Sequence, residues 1–432
     1  MLPASGAAAA SGGFCVENLS TDDLLTLIAG HAVTQSADAE YLKPVAEQLT
    51  RDDWRKLWEM SCTHQIQALV YYELSRCGCN QLVPADIRDL FEEISYASAI
   101  RFFSFCSFTS FVVSIFRSNG IPCIVLKGIT LSSLYPAGEV RNLTDADIYV
   151  PDKEDFNRAK KLLIDRGFVR MHNQVDHHLE YSYTMNQGVF ILELHSFPAA
   201  SLPDGSCQRE VEKIFSDAAS DPDNYHPLGM DVPALRPELY AMSLCLHMLQ
   251  HFMSAGFGLR LLCDWVVFLK SKGAKMDCEK FCRYICGAGM GKFVWSVTAI
   301  CSQKLGLDIG ADAPFMSMLR CGVSGEQLEK MYLDIISGGD FGAAQKPRMV
   351  AVPDDLGLIS YLKTLNRQTS FKYPRASKIF VLLPFLWVGT VFGFLHNNRH
   401  LRKVKTIDIL KSAEERGKLL KELELFRKKG KR

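Results

Sequence analysis

Apolar and polar positions change period twice along this chain. From about Thr21 to Ser118 the apolar residues recur at helical spacing, as in "DDWRKLWEMSCTHQIQALVYYELSR". The aromatic-rich "RFFSFCSFTSFVVSIFRSNG" then closes at Gly120, a residue that suits a helix C-terminus. The texture next shortens. "IPCIVLKG" reads as a buried strand, "VRNLTDADIYV" as a second, and "EDFNRAKKLLIDRGF" as an amphipathic helix. "HHLEYSYTMNQGVFILELHSF" reads as a hairpin turning at "NQG". Helical spacing returns from Pro237 to about Gly338, in "ELYAMSLCLHMLQHFM", "RLLCDWVVFLKS" and "EKFCRYICGAG", before a linker near "QKPRMVAVPDD".

These periods predict an α+β fold, a small mixed β-sheet core with its own helices, flanked by N-terminal and C-terminal helical regions. The expected divisions are a flexible leader over 1–20, a helical region over 21–118, an α/β core over 119–200, a helical region over 201–345, and a C-terminal segment over 346–432. In that last segment Ile379 to Leu395 is nearly all apolar but interrupted by Pro384, Gly389 and Gly393. A spanning helix needs roughly 20 apolar residues, so a buried or interfacial helix is expected instead.

Composition changes this picture little. A chain of 432 residues is too long for one ordinary core, and 48% hydrophobic with 22% charged residues is a globular balance. A formal net charge of +1 gives no overall attraction to nucleic acid, and no specific nucleic-acid binding is expected. The charge is unevenly spread. From His396 onward 13 Lys or Arg stand against 5 Asp or Glu, a local +8 that leaves about −7 on the rest. Peripheral contact of this basic tail and its apolar neighbour with an anionic membrane is therefore one expected partnership. Fourteen cysteines behind a leader without a secretion signal point to free thiols and a cytoplasmic location. Cys77 with Cys79 lacks a second pair at metal-binding spacing, and Cys278, Cys282 and Cys286 share one helix face as small hydrophobes, so no zinc site is expected.

The candidate chemistry lies in "DADIYV". Successive strand residues face opposite ways, so Asp145 and Asp147 emerge together while Ala146, Ile148 and Val150 face the other way. Two like charges held that close favour a divalent cation with oxygen preference, Mg²⁺ or Mn²⁺. An exposed strand end with solvated aspartates is the plainer reading of an isolated D-x-D. The hairpin decides between them: "VFILELHSF" sets Glu193 in an apolar strand, where an unpaired anion is costly, and a third carboxylate there would complete a metal cage. Such a cage can activate a hydroxyl and steady a departing pyrophosphate. Carboxylate repulsion alone also predicts that Asp147→Asn leaves metal-free thermal stability unchanged or slightly raised. Upstream, "VLKGITLSSLYP" ends a strand at Gly128 and opens a helix whose amides can face phosphate, with Lys127 as a nearby cation.

"LKGITLSSLY" (Leu126 to Tyr135), Arg141, "DADIYV" (Asp145 to Val150) and "LELHS" (Leu192 to Ser196), in this order, resemble the uncharacterised nucleotidyltransferase-like family of the DNA polymerase β superfamily. "DWRKLWEMSCTHQI" before the core and "HMLQHFMSAGFGLRLLCDW" after it extend the likeness to roughly residues 50–345. The resemblance implies a nucleotidyl transfer from a nucleoside triphosphate to an acceptor hydroxyl on a small molecule, sugar or protein. It implies Asp145, Asp147 and Glu193 as metal ligands, Glu193 as the base, and Gly128 facing the triphosphate. Where the superfamily commonly carries Gly-Gly or Gly-Ser the chain has Gly128-Ile129, so Thr130 or Lys127 would hold phosphate in place of the serine.

Other residues keep two readings. Arg141 either touches phosphate or balances the aspartates. His195 shares a face with Glu193, as support for the ligands or as part of the sheet surface. His247 and His251, four apart on one helix face, either reach the active site or pack inside a helical layer. Arg260 and Asp264 are expected to form a helix ion pair. Two further functions remain open: a nucleotide-binding regulator that keeps the fold without turnover, and a membrane-associated scaffold working through the C-terminal segment.

Overall fold

The computed structural model describes residues 19–339, apart from 172–177, 187, 203, 217, 219–220, 254–255 and 320, together with 369, 382–389 and 421–426. Five helices come first: α1 (Thr21–Thr34), α2 (Lys43–Ala46), α3 (Arg51–Thr63), α4 (Gln67–Arg76) and α5 (Ala85–Ser118). α3 begins with a reciprocal cap, in which the Thr50 hydroxyl accepts from the Asp53 amide and the Asp53 carboxylate accepts from the Thr50 amide. That orientation buries Trp54 and Leu57. At the other end of α3, His64 is buried, and its Nδ1 accepts the Leu259 amide at 3.1 Å.

α5 carries the aromatic run into the core. Phe105, Phe108, Val112 and Phe116 recur at three and four residues and are buried against the sheet. Phe108 stacks on Phe190 at 4.7 Å, and Phe105 meets the same ring edge-on at 5.3 Å. Among the described residues α5 is long and apolar enough to cross a membrane, yet half of its most apolar stretch is buried inside the protein. Its packing explains its composition as that of a core helix.

The sheet follows in the order β1 (Ile124–Val125), α6 (Ile129–Ser132), β2 (Ala146–Tyr149), α7 (Lys153–Asp165), β3 (Val169–Arg170), β4 (His178–Met185) and β5 (Gly188–His195). Its five strands lie side by side as β1-β2-β5-β4-β3, with β2 and β5 parallel and the other neighbours antiparallel. The fold is therefore α+β with a small mixed sheet. The stretch 121–128, expected as one strand, pairs only over Ile124–Val125. The hairpin pairs Met185 with Gly188, and Asn186 between them takes the positive φ that such a tight connection requires.

Alternation sorts the two sheet faces. Ala146, Ile148, Leu192 and Leu194 face α5 and are buried, as are Tyr181 and Phe190. Asp147, Glu193 and His195 are therefore on the other face, which a second helical layer covers.

That layer comprises α8 (Gly205–Ile214), β6 (Asp223–Tyr225), β7 (Val232–Ala234), α9 (Pro237–Met253), α10 (Leu259–Lys272), α11 (Cys278–Gly287), α12 (Gly291–Leu305), α13 (Ile309–Asp312) and α14 (Gly325–Gly338). β6 and β7 form a short antiparallel pair in a region expected to be helical. α9 is buried over most of its circumference, which places it in the interior.

Residues 421–426 belong to this layer too. The Phe426 amide donates to the Gly289 carbonyl at 2.9 Å, Lys292 pairs with Glu424 at 3.0 Å, and Leu423 and Leu425 are buried. This part of the basic tail thus packs on the protein itself. Of the apolar run Ile379 to Leu395 only 382–389 lies within the described residues; it is helical there and exposes Phe385 and Val388. Every described cysteine is a free thiol.

Candidate active site

Strand register builds the site. Across the parallel β2–β5 pair, Asp147 stands opposite Glu193 and Tyr149 opposite His195. Across the antiparallel β4–β5 pair, Glu193 stands opposite Glu180 and His195 opposite His178. A rank of three carboxylates, Asp147, Glu193 and Glu180, therefore crosses three adjacent strands, with two imidazoles in the neighbouring rank. Asp145 joins from the residue before β2: ligand oxygens of Asp145, Asp147 and Glu193 all lie within 4.8 Å of one another. Like charges directly opposite in a sheet are destabilising, so the arrangement calls for cations.

Two side chains answer that call. Lys127, leaving the end of β1, puts Nζ 2.8 Å from Asp147 Oδ1 and 4.0 Å from Asp145 Oδ1. His195 Nε2 lies 3.1 Å from Asp147 Oδ1 and 3.2 Å from Glu193 Oε2. Burial alone would raise the Asp147 carboxyl, but Lys127 and His195 outweigh it and hold it well below the usual carboxylate range. Burial would likewise lower His195, yet its contacts with Asp147 and Glu193 lift it to about 9. Glu193 moves the other way: burial, aided by the Asp147 charge, raises its carboxyl. Asp147 and Glu193 thus have opposed shifts.

These ion pairs reverse one expectation. Asp147 is fully buried between two cations, so Asp147→Asn removes their partner as well as a source of repulsion.

α9 forms the opposite wall of a cleft of about 180 Å³. Ser243, His247, Gln250 and His251 line it, at spacings that put them on one helix face. The rings of His247 and His251 meet edge-to-face at 4.4 Å. Burial, the mutual His–His interaction and Lys127 hold His247 well below its ordinary value, and burial with Arg260 and Lys127 brings His251 down to about 3. Both enter the site as neutral imidazoles.

The structure brings together Asp145, Asp147, Glu193, Lys127, His195, His247 and His251. Two sequence candidates sit elsewhere. Thr130 is fully buried, and its hydroxyl lies 2.8 Å from the Tyr240 hydroxyl, so it has no face toward the cleft. Arg141 is buried with its Nε 2.7 Å and Nη2 3.0 Å from the two oxygens of Asp264, which also accepts from the Tyr135 hydroxyl at 2.7 Å. Neither is placed to hold phosphate. The Arg141–Asp264 pair also takes the place of the expected Arg260–Asp264 helix pair. It pins the loop leading to Asp145 onto α10. Gly128 has φ of 72° and closes the turn between β1 and α6, a conformation that favours glycine. α6 spans only Ile129–Ser132, too short a helix to present a strong terminal dipole.

His178 and Glu180 are site residues that sequence reasoning missed. The signal was present: once Met185 pairs with Gly188, His178-Leu179-Glu180 lies opposite Glu193-Leu194-His195, so like meets like.

A family model described as an uncharacterised nucleotidyltransferase matches residues 50–306, more than half of the chain. No curated protein and no solved structure matches it.

Proposed function

The chain belongs to the uncharacterised nucleotidyltransferase family, and from that premise we propose that it transfers a nucleotidyl group from a nucleoside triphosphate to an acceptor hydroxyl, with Mg²⁺ or Mn²⁺ held by Asp145, Asp147 and Glu193. The observation that carries the reading is the carboxylate rank. Three acidic side chains converge within 4.8 Å, and Asp147 Oδ2, fully buried, has no hydrogen-bond partner among the described residues. An all-oxygen donor set with an orphaned carboxylate oxygen suits a hard divalent cation. Bound there, such an ion would neutralise the carboxylates, acidify the acceptor hydroxyl and balance charge on the leaving pyrophosphate.

The chain's own groups divide the remaining work. The acceptor oxygen forms a bond to the α-phosphorus as the bond from that phosphorus to the β-bridging oxygen breaks, and the hydroxyl proton passes to Glu193. Lys127, about one-fifth exposed at the cleft, is the cation nearest the phosphates. Gly128 allows the backbone beside it to approach them. His195 steadies both Asp147 and Glu193. His247 and His251 close the site from α9, and the cleft takes the phosphate end while the base and acceptor lie beyond it. In this division residues 119–200 carry the chemistry and the helical region over 201–345 shapes the acceptor side.

One observation favours a second reading. The Thr130 hydroxyl is committed to Tyr240 rather than presented to phosphate, as in a protein that binds nucleotide without turnover. Pyrophosphate release separates the two. The transferase reading expects release from at least one nucleoside triphosphate with Mg²⁺ or Mn²⁺ and a cell extract, lost in Asp147→Asn. Nucleotide-dependent stabilisation with no release under any of these conditions establishes the second reading.

A further inference from the structure

We propose that His178, Glu193 and His195 form a second metal site, beside the oxygen-only cage, that takes a first-row transition ion of the Zn²⁺ or Mn²⁺ class. The inference rests on the cage reading only in sharing Glu193 with it.

The geometry is that of donors around an ion. One ligand atom from each of the three residues lies within 4.8 Å of the others. His195 Nε2 is 3.2 Å from Glu193 Oε2 and His178 Nε2 is 3.6 Å from Glu193 Oε1. Ligands at about 2.1 Å from one tetrahedral ion stand about 3.4 Å apart, so these separations bracket that spacing. The His178 contact is also longer than a hydrogen bond, whereas it fits two ligands of a shared cation. Glu180 Oε1 lies 3.6 Å from the same His178 Nε2 and stands opposite Glu193.

The cross-strand pairing makes the arrangement specific. His178 faces His195 and Glu180 faces Glu193 because the two strands carry His-Leu-Glu and Glu-Leu-His across one turn. Opposed glutamates cost stability unless a cation lies between them. Donor type then separates the two sites. Mg²⁺ prefers oxygens and keeps its waters, which suits Asp145, Asp147 and Glu193. Two imidazoles with a carboxylate suit Zn²⁺ and its neighbours, the ion replacing the proton that His195 Nε2 otherwise shares with Asp147 and Glu193. Glu193, one oxygen toward each histidine and also within the acidic cluster, links the two.

The test loads the full chain, stripped of metal, with Mn²⁺ and reads ¹⁴N couplings by pulsed electron paramagnetic resonance, alongside a Zn²⁺ titration by calorimetry. The proposal expects imidazole nitrogen couplings that survive excess Mg²⁺. It expects their reduction in His178→Gln with Zn²⁺ binding weakened at least tenfold, and their persistence in Asp145→Asn. Circular dichroism confirms that each variant is folded; should His178→Gln misfold, the wild-type couplings and their resistance to Mg²⁺ decide alone. Mn²⁺ bound without nitrogen coupling, or coupling erased by Mg²⁺, overturns the second site. If pyrophosphate release still depends on Asp147 in that case, the transferase reading stands without it.

Discussion

Asp264→Ala should cost the protein about 4 kcal/mol, because it strands a buried cation. Arg141 and Asp264 are 4% and 3% exposed in their side chains and meet at 2.7 and 3.0 Å, and Tyr135 adds a third hydrogen bond at 2.7 Å. Unit charges about 4 Å apart attract by about 4 kcal/mol at an effective dielectric of 20. Removing one partner of such a pair typically costs about 3–5 kcal/mol, since the survivor keeps its desolvation penalty. Arg141→Met alone strands the Asp264 carboxylate, and the double variant Arg141→Met with Asp264→Ala removes both charges and should recover most of that loss. Urea unfolding at pH 7, followed by circular dichroism and by the fluorescence of the adjacent buried Trp265, measures all the variants and yields the coupling energy. The pair also anchors the loop into Asp145, so a folded double variant should still lose turnover, because misplacing a reacting group by about 1 Å can cost about a hundredfold. A single-variant loss below about 1 kcal/mol, set against the range expected for a buried pair, would refute the reasoning. So would a double variant as unstable as the sum of the singles.

Asp147→Asn should abolish transfer and also lower the melting temperature without metal, by about 3 kcal/mol of stability, the low end for a buried pair because Asp145 and Glu193 remain to balance Lys127 and His195. An unchanged or raised melting temperature contradicts the ion-pair reading. Burial lowers His64 to about 4, so its stabilising contribution is complete above its ordinary 6.5 and is lost as pH falls from about 6.5 to about 4. That component amounts to about 3 kcal/mol and is read as the difference in pH slope of urea stability between wild type and His64→Asn; parallel slopes remove it. For the C-terminal segment, with Phe385 and Val388 exposed, the expected outcome is sedimentation with anionic liposomes at low salt and release at high salt. No binding at low salt, or binding that resists alkaline carbonate, contradicts it.

What could be read from the sequence was whatever a strand's period of two makes local. Asp145, Asp147, Glu193 and His195 fall on one sheet face by parity, and helical spacing put His247 and His251 together on the wall that faces them. His178 and Glu180 were legible in principle, through the register that pairing Met185 with Gly188 imposes, but they have no acidic doublet to draw the eye. Thr130 and Arg141 were misplaced for a different reason. Their partners Tyr240 and Asp264 lie 110 and 123 residues away, and no local pattern announces a tertiary hydrogen bond. The short pair β6–β7 was hidden because three-residue strands with a proline carry no period to detect.

The most direct test of nucleotidyl transfer uses one nucleoside triphosphate carrying the label at either of two positions. With Mg²⁺ or Mn²⁺ and a cell extract, label at the α-phosphate should appear covalently on the acceptor, label at the γ-phosphate should leave as pyrophosphate, and Asp147→Asn should do neither. Transfer of the γ-label to the acceptor, or wild-type transfer of the α-label by Asp147→Asn, would contradict the account.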